Sequence, residues 1–353
     1  MHQAALPLHG PRLSAAALLD QTPHWKNSVL GAFCFSADAA ESREKSGLGI
    51  PCIHVPMPRL DAGETLYEIW HGNGELLQGR CEAIHYRHDD DLLFGAIALP
   101  ELDTDNGKTP LQQAAESAYH QVFALLDTLR FPHPFRFWNY IADINTHSFG
   151  MERYHQFNLG RQDAFLAHGR GVVGNVPAAC ALGSTHGPLT IAFLAGRAPP
   201  LNIENPRQTS AYLYPKQYGP RSPTFSRASL VHLGQHQVLF ISGTASVVGH
   251  VTLHPADVVA QTRETMANIE AVLTEANRLT GQSAFDPARL HYRVYVRRAA
   301  DLAEIRAELS RHVGDTLDAV YLQADVCRSD LLLEIEATAA VPLPPAPERQ
   351  NRA

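Results

Sequence analysis

Apolar residues recur with a period of two in short runs and of three to four in longer ones, and the order of these periods is the same in both halves of the chain. In the C-terminal half, HQVLFISGTA predicts a strand, and HPADVVAQTRETMANIEAVLTEANRL predicts a helix with Pro255 near its first position. Val258, Thr262, Thr265, Ile269, Val272 and Ala276 form its buried stripe. A strand HYRVYVR, a short helix over DLAEIRAELSRHV, a strand AVYLQADVC, a turn at RSD and a last strand LLLEIEATAAV follow. In the N-terminal half, strands EAIHYRH and DLLFGAIAL precede a helix opened by Thr109, with Pro110 at its first position and Gln112 in the capping-box place. Its stripe is Leu111, Ala115, Ala118, Val122, Leu125 and Leu129. A strand FRFWNYIADI, a helix within GMERYHQFNLGRQDAFLAHG and strands PAACALGS and LTIAFLAG complete the set. Strand, long helix, strand, short helix, hairpin is therefore read twice.

Between the halves, RAPPLNIENPRQTSAYLYPKQYGPRSPTFS holds six prolines and no sustained period, which predicts a long irregular connection. Loops of this length in compact proteins are usually functional or disordered, and the three tyrosines and three arginines argue against plain disorder. The expected organisation is a first α+β unit over 25–200, a connection or lid over 201–228, a second unit over 229–342 and a frayed proline-rich tail over 343–353.

Composition narrows the function. The 353 residues are 45% apolar and 18% charged, enough for two cores. A net charge of -7, with no run of Lys or Arg longer than a pair, lacks the basic stripe that nucleic acid requires. No stretch of 18 apolar residues and no secretory leader pattern is present, so neither a membrane nor export is expected. Five scattered cysteines without a CxxC pair argue against a disulfide framework and for the cytoplasm. The 19 histidines show no zinc-type spacing, so no metal is expected.

Candidate chemistry lies where polar residues interrupt apolar patterns. Glu334 and Glu336, two apart in the last strand, share one face at about 7 Å. If that face is covered, burial raises a carboxyl pKa into the range of a proton donor; if not, both are solvated. Cys327 ends the preceding strand, and a tight RSD turn brings it near Glu334; packing is the alternative to a reactive role. Tyr154, Asn158, Arg161 and Phe165 fall on one helical face, where an arginine fork fits a carboxylate ligand or an ion pair with Asp163 or Glu152. Arg297 and Arg298 close the strand HYRVYVRR, and alternation leaves open which one faces the covered side. Tyr212, Tyr214, Lys216 and Arg221 of the connection are lid candidates or solvated loop residues.

FWNYIADINT, ERYHQFNLGRQDAF, LYPKQYGPRSPTFSRA, FISGTASVVGH and CRSDLLLEIEA, in this order between about residues 25 and 340, resemble the chorismatase family. The resemblance implies two fused RidA-like, chorismate mutase-like units, each a mixed sheet packed on one face by helices. It implies cofactor-free and metal-free cleavage of chorismate to pyruvate and 3-hydroxybenzoate, with 4-hydroxybenzoate beside it, as in the bifunctional members that serve pigment and quinone synthesis. By the same resemblance Glu334 is the catalytic acid, Cys327 steers the product, and Gly243, Thr244 and Ala245 line the ring site. Arg161, Tyr154, Tyr212 and Arg297 are the candidate carboxylate clamps. A chorismate hydrolase making a dihydroxycyclohexadiene carboxylate, and a RidA-like imine deaminase or ligand-binding protein, are the alternatives. The latter is weakened because DTLDAVYLQ stands where that activity needs an arginine. Fusion of two units is compatible with a monomer.

Overall fold

The computed structural model describes residues 9–14, 17–18, 21, 24–37, 49–61, 65–103 and 107–343. The expected frayed tail, beyond Leu343, lies outside them.

Among the described residues, four helices form where the period of three to four was read. Helix α1 (Pro110–Leu129) starts at Thr109, whose side chain accepts the Gln112 N–H at 3.2 Å. The capping box is only half made, because the Gln112 amide reaches Asp163 at 3.5 Å on helix α2 (Arg153–Ala167) instead of turning back. The two helices touch closely at Gly160, where a Cβ would lie 2.0 Å from the Gln112 carbonyl oxygen. Helix α3 (Val258–Thr280) buries Val258, Thr262, Thr265, Ile269, Val272 and Ala276 as its stripe requires. Its start differs from the expectation: Asp257 is the N-cap, accepting the Ala260 N–H at 2.9 Å, and Pro255 lies ahead of the cap. A carboxylate that satisfies an orphan N–H outweighs the preference of proline for the first helical position. Helix α4 (Leu302–Val313) is the short one.

The strands assemble into two corresponding sheets. The first runs Asp325–Val326, Ala178–Ser184, His133–Ala142, Leu189–Gly196, Leu92–Leu99, Ile84–His88, Leu77–Cys81. The second runs Leu201–Ile203, Ala228–Leu233, His236–Thr244, Leu333–Pro342, His291–Val296, Asp318–Gln323. From Ile84–His88 to Ala178–Ser184, and from Ala228–Leu233 to Asp318–Gln323, five strands share one order, and in both only the last pair is parallel. The sheet orders thus bear out the duplicated element order but not the hairpin expected at its end. Ala178–Ser184 and Leu189–Gly196 flank His133–Ala142, and Asp318–Gln323 and Leu333–Pro342 flank His291–Val296, because the strand after the long helix inserts between them and pairs in parallel with the first of each two. Helices α1 and α2 cover one face of the first sheet, and α3 and α4 cover one face of the second.

The uncovered faces turn inward and share one core. A four-stranded sheet closes it, in the order His9–Ser14, Leu66–His71, Val29–Ser36, Cys52–Pro56, which no period in the sequence had singled out. Val29–Ser36 is buried on both faces: Phe33 and Phe35 enter the shared core, while Val29, Ala32 and Cys34 pack on the outer side. A continuous apolar run of this kind carries no alternation to read. Buried charges tie the three sheets together. Arg136 of the first sheet and Arg293 of the second both hold Glu336, and Arg293 also holds Glu68 of the third. Arg12 approaches Glu68 at 3.8 Å.

Candidate active site

The strand Leu333–Pro342 sits between His236–Thr244 and His291–Val296, so its backbone is paired on both sides. Its alternation sends Leu333, Ile335 and Ala337 to the helix-covered core, leaving Glu334 and Glu336 on the inner face. Both carboxylates are buried. Their surroundings separate them. Glu336 accepts from Arg136, from Arg293 at 2.5 Å, from Tyr295 at 2.9 Å and from the Trp138 indole at 3.2 Å. Glu334 meets the Cys327 thiol at 3.9 Å and faces a cavity of about 300 Å³.

Backbone irregularity makes room for this carboxyl group. Ile241 pairs with Ala337 but Thr244 with Ile335, so three steps on one strand oppose two on the other, a β-bulge beside the acid. A Cβ on Gly243 would stand 1.8 Å from Glu334 Oε1. Glycine is therefore required here by close approach, and Ala245 beyond it lines the cavity. Cys327 is placed by the following turn, which Arg297 braces through the carbonyl oxygens of Val326, Arg328 and Leu331 at 3.1, 2.9 and 2.7 Å.

The Glu334 pKa is pushed up to about 8, first by burial and second by the Glu336 charge. Arg136, the Cys327 hydrogen bond and Arg227 pull it down by less. Near neutrality Glu334 thus carries its proton. Burial, then the neighbouring Glu334, pushes the Cys327 thiol well above its ordinary value, so it stays protonated and is a poor nucleophile. Burial also raises Tyr154, keeping its phenol a hydrogen-bonding group within the cavity wall.

Two arginines of the cavity escaped the sequence reading. Arg227, buried, donates to the Thr209 carbonyl and the Tyr214 hydroxyl, both at 2.8 Å, and its Nε has no partner among the described residues. Arg328 lies over the Tyr218 ring at 4.0 Å and the Tyr214 ring at 5.0 Å, donating to the His250 carbonyl at 2.9 Å. Glu152 and His155, whose side chains approach to 3.4 Å, form another part of the wall. Burial is the main cause that lowers the His155 pKa, against the pull of Glu152. The irregular connection contributes Tyr214, Gln217, Tyr218, Pro223 and Phe225, so it forms a wall of the cavity.

Of the residues singled out in the sequence, Glu334, Cys327, Gly243, Ala245 and Tyr154 converge on the cavity, and Arg161, Tyr212, Thr244 and Arg297 are not among its lining residues. The Arg161 guanidinium sits over the rings of Tyr119, Phe165 and Phe137 at 5.1, 5.4 and 5.7 Å, in the core under α1 and α2. It forms no ion pair with Asp163 or Glu152; Asp163 approaches Arg221 at 3.9 Å and Glu152 approaches His155. Thr244 donates its hydroxyl to the Ser242 carbonyl at 2.9 Å. Arg297 spends its remaining donors on Asn145 at 3.1 Å and Asp325 at 2.5 Å, which leaves no fork free for a ligand. Arg227 stands between the aperiodic stretch, which ends at Ser226, and the strand Ala228–Leu233, so no pattern marked it. Among the described residues no group of three or more His, Cys, Asp or Glu is placed to hold a metal ion, and no helix is long and apolar enough to cross a membrane.

The chain matches known proteins over most of its length. Residues 68–195 fit the family described as "Chorismatase FkbO/Hyg5-like, N-terminal". A 3-hydroxybenzoate synthase of Streptomyces hygroscopicus is 39% identical over 297 residues, 82% of this chain and 85% of the relative. A chorismatase of Streptomyces rapamycinicus is 35% identical over 284 residues, 78% of this chain and 83% of the relative. The crystal structure of a chorismatase superposes with a TM-score of 0.81 at 29% identity, covering 95% of this chain and all of the other. With a relative of this identity covered over more than two thirds of both chains, and the same fold throughout, this chain belongs to the chorismatase family.

Proposed function

We propose that this protein converts chorismate to pyruvate and 3-hydroxybenzoate, with Glu334 as the general acid. The observation that carries the reading is a buried, proton-bearing carboxyl group facing a cavity that also contains two arginines. Chorismate is a dianion bearing an enol ether. Its cleavage requires a proton on the enolpyruvyl methylene carbon and a countercharge for each carboxylate. Glu334 supplies the proton. The vinyl ether becomes an oxocarbenium centre, which the carboxylate left on Glu334 stabilises electrostatically. Arg227 and Arg328 receive the two substrate carboxylates, and Gly243 and Ala245 give the ring a surface without side-chain bulk.

Chorismate contains the atoms of pyruvate plus a hydroxybenzoate with none left over. The products therefore balance without net water. For 3-hydroxybenzoate the C3 oxygen stays on the ring, and the C4 hydroxyl adds to the oxocarbenium carbon and gives its proton to the Glu334 carboxylate. Pyruvate leaves with that oxygen as its bond to O3 and the ring C4–O bond break, and the ring loses its C3 proton while O3 gains one. Glu334, once deprotonated, is a base in the same cavity, and Cys327 guides the ring by shape and a weak S–H contact. Where this guidance is incomplete, 4-hydroxybenzoate is the expected companion product. Hydrolysis to a dihydroxycyclohexadiene carboxylate is the competing outcome, favoured by any water beside the oxocarbenium centre. The catalytic unit spans both repeats, 25–200 and 229–342, with the connection 201–228 forming part of the pocket, and no cofactor or metal takes part.

The reading is tested by incubating the protein with chorismate in D₂O and identifying every ring acid and the pyruvate by mass spectrometry, with pyruvate reduced to lactate as it forms. 3-Hydroxybenzoate with one deuterium in the lactate methyl group is expected. Unchanged chorismate, or pyruvate released without methyl deuterium, contradicts it.

A further inference from the structure

Glu336 is held more completely than a mere packing partner needs to be. Four donors from two sheets converge on its two oxygens: Arg136 and Trp138 from the strand His133–Ala142, Arg293 and Tyr295 from the strand His291–Val296. The anion is therefore fixed in place, on the same strand face as Glu334 and two residues from it. Nothing in the cleavage chemistry uses Glu336, which is absent from the cavity wall. We propose that Glu336 is a positioning residue: a pinned negative charge that holds Glu334 in its proton-carrying form. The proposal deepens the assignment of Glu334 as the acid and rests on it.

The charges around the pair give the sign. Glu334 is faced by Cys327 from the turn, Arg227 from the connection, Tyr154 from α2, Cys180 from Ala178–Ser184 and Arg136. Glu336 is faced by its four donors, by Tyr140 and Cys180, and through Arg293 by Glu68 and Arg12. A negative charge about 7 Å away in a protein interior raises the titration of a carboxyl group by roughly one unit or more. Removing Glu336 takes away a negative charge and leaves Arg136 without its carboxylate, while Arg293 stays paired with Glu68, so Glu334 must lose its proton more readily. Removing Arg136 has the opposite effect, because Glu336 remains bound by Arg293, Tyr295 and Trp138. A structural role alone predicts no such reversal of sign.

The test uses the full-length protein and two readouts of one titration. One is the pH dependence of kcat/KM for chorismate; the other is the ¹³C resonance of the Glu334 carboxyl carbon, assigned by its loss in Glu334→Gln. Glu336→Gln is expected to move the midpoint down by about one unit or more, Arg136→Met to move it up, and the double variant to bring it back toward the starting value. If Glu336→Gln does not fold, the double variant decides, because its midpoint must lie below that of Arg136→Met. Midpoints that stay put, or that move the same way in both variants, overturn the proposal. Carboxyl midpoints that move as expected while the kinetic profile stays fixed uphold the charge relation and instead remove Glu334 from the acid role.

Discussion

At the scale of single residues, the site rests on one buried carboxyl group that keeps its proton beside a second that two arginines hold. Glu334 titrates from an ordinary value of 4.5 up to about 8 on folding, chiefly through burial. A group raised in this way costs nothing while both states are protonated, so its contribution is most favourable below pH 4.5. Stability then declines as pH rises toward about 8, where the native carboxyl also ionises. Glu334→Gln should therefore raise Tm at pH 9 by more than at pH 4, by the equivalent of a few kcal/mol, as thermal unfolding at the two pH values will show. A gain that is the same at both would place Glu334 in water.

In the proposed mechanism Cys327, held protonated beside this acid, acts in the later, ring-directed part of the reaction. Cys327→Ala should still release pyruvate but lower the share of 3-hydroxybenzoate relative to 4-hydroxybenzoate or the dihydroxydiene, measured in one chromatogram. Total loss of pyruvate would assign the thiol to the first step. Arg227→Ala should raise KM for chorismate by about 30-fold or more, the scale of losing a buried charge-assisted contact, while Arg161→Ala should affect folding stability more than KM. Reversed effects of the two substitutions would return the clamp to α2. The sequence displayed Glu334 because an acid in an alternating apolar strand is conspicuous. It misdirected attention to Arg161 because a helix face gives a spacing argument, whereas Arg227 stands between a stretch with no period and a strand. Polar residues on a helix face proved compatible with burial among aromatic rings, which spacing alone does not distinguish from a ligand site.

At the scale of elements, the acid depends on an interruption in its neighbour strand. The bulge at Ser242–Gly243 lets the backbone pass where a side chain would collide with the carboxyl group. Gly243→Ala should displace Glu334, lowering kcat at least 100-fold, the penalty of misplacing a catalytic group by about 1 Å, with an unchanged far-ultraviolet circular dichroism spectrum. Retained kcat would mean that the carboxyl group moves without consequence. Arg297 acts at this scale too, since its bonds to the turn fix Cys327. The periods in the sequence revealed α1 to α4 because each helix has one covered face, whereas strands of the large sheets such as Leu189–Gly196 are buried on both faces and stood out as apolar runs placed in the repeated order. Val29–Ser36 is equally buried but lies outside that repeated order, so nothing singled it out. The start of α3 was misjudged because proline marks the neighbourhood of a helix start, while the cap is chosen by whichever side chain reaches a free N–H.

At the scale of the whole molecule, duplication supplies the geometry and divergence supplies the chemistry. Two units of one strand order face each other, yet the strands in corresponding central places differ: Leu189–Gly196 reads LTIAFLAG and is apolar apart from Thr190, whereas Leu333–Pro342 carries both glutamates. The first unit contributes Arg136 and Trp138 to Glu336, and Tyr154 to the cavity, so neither unit alone makes the site. The duplicated order was legible because period survives substitution. The meeting of Arg136 with Glu336, 200 residues apart in the chain, was not, because no local pattern links them.

The central claim, that the proton of Glu334 breaks the enol ether of chorismate, is tested most directly by comparing wild type with Glu334→Gln at neutral pH, measuring pyruvate release and chorismate binding on the same preparations. The amide keeps the shape and loses the acidic proton, so the account predicts pyruvate release reduced by 10²-fold or more, the usual weight of a positioned general acid, with the dissociation constant changed only slightly. Pyruvate release by the variant at the wild-type rate would contradict it.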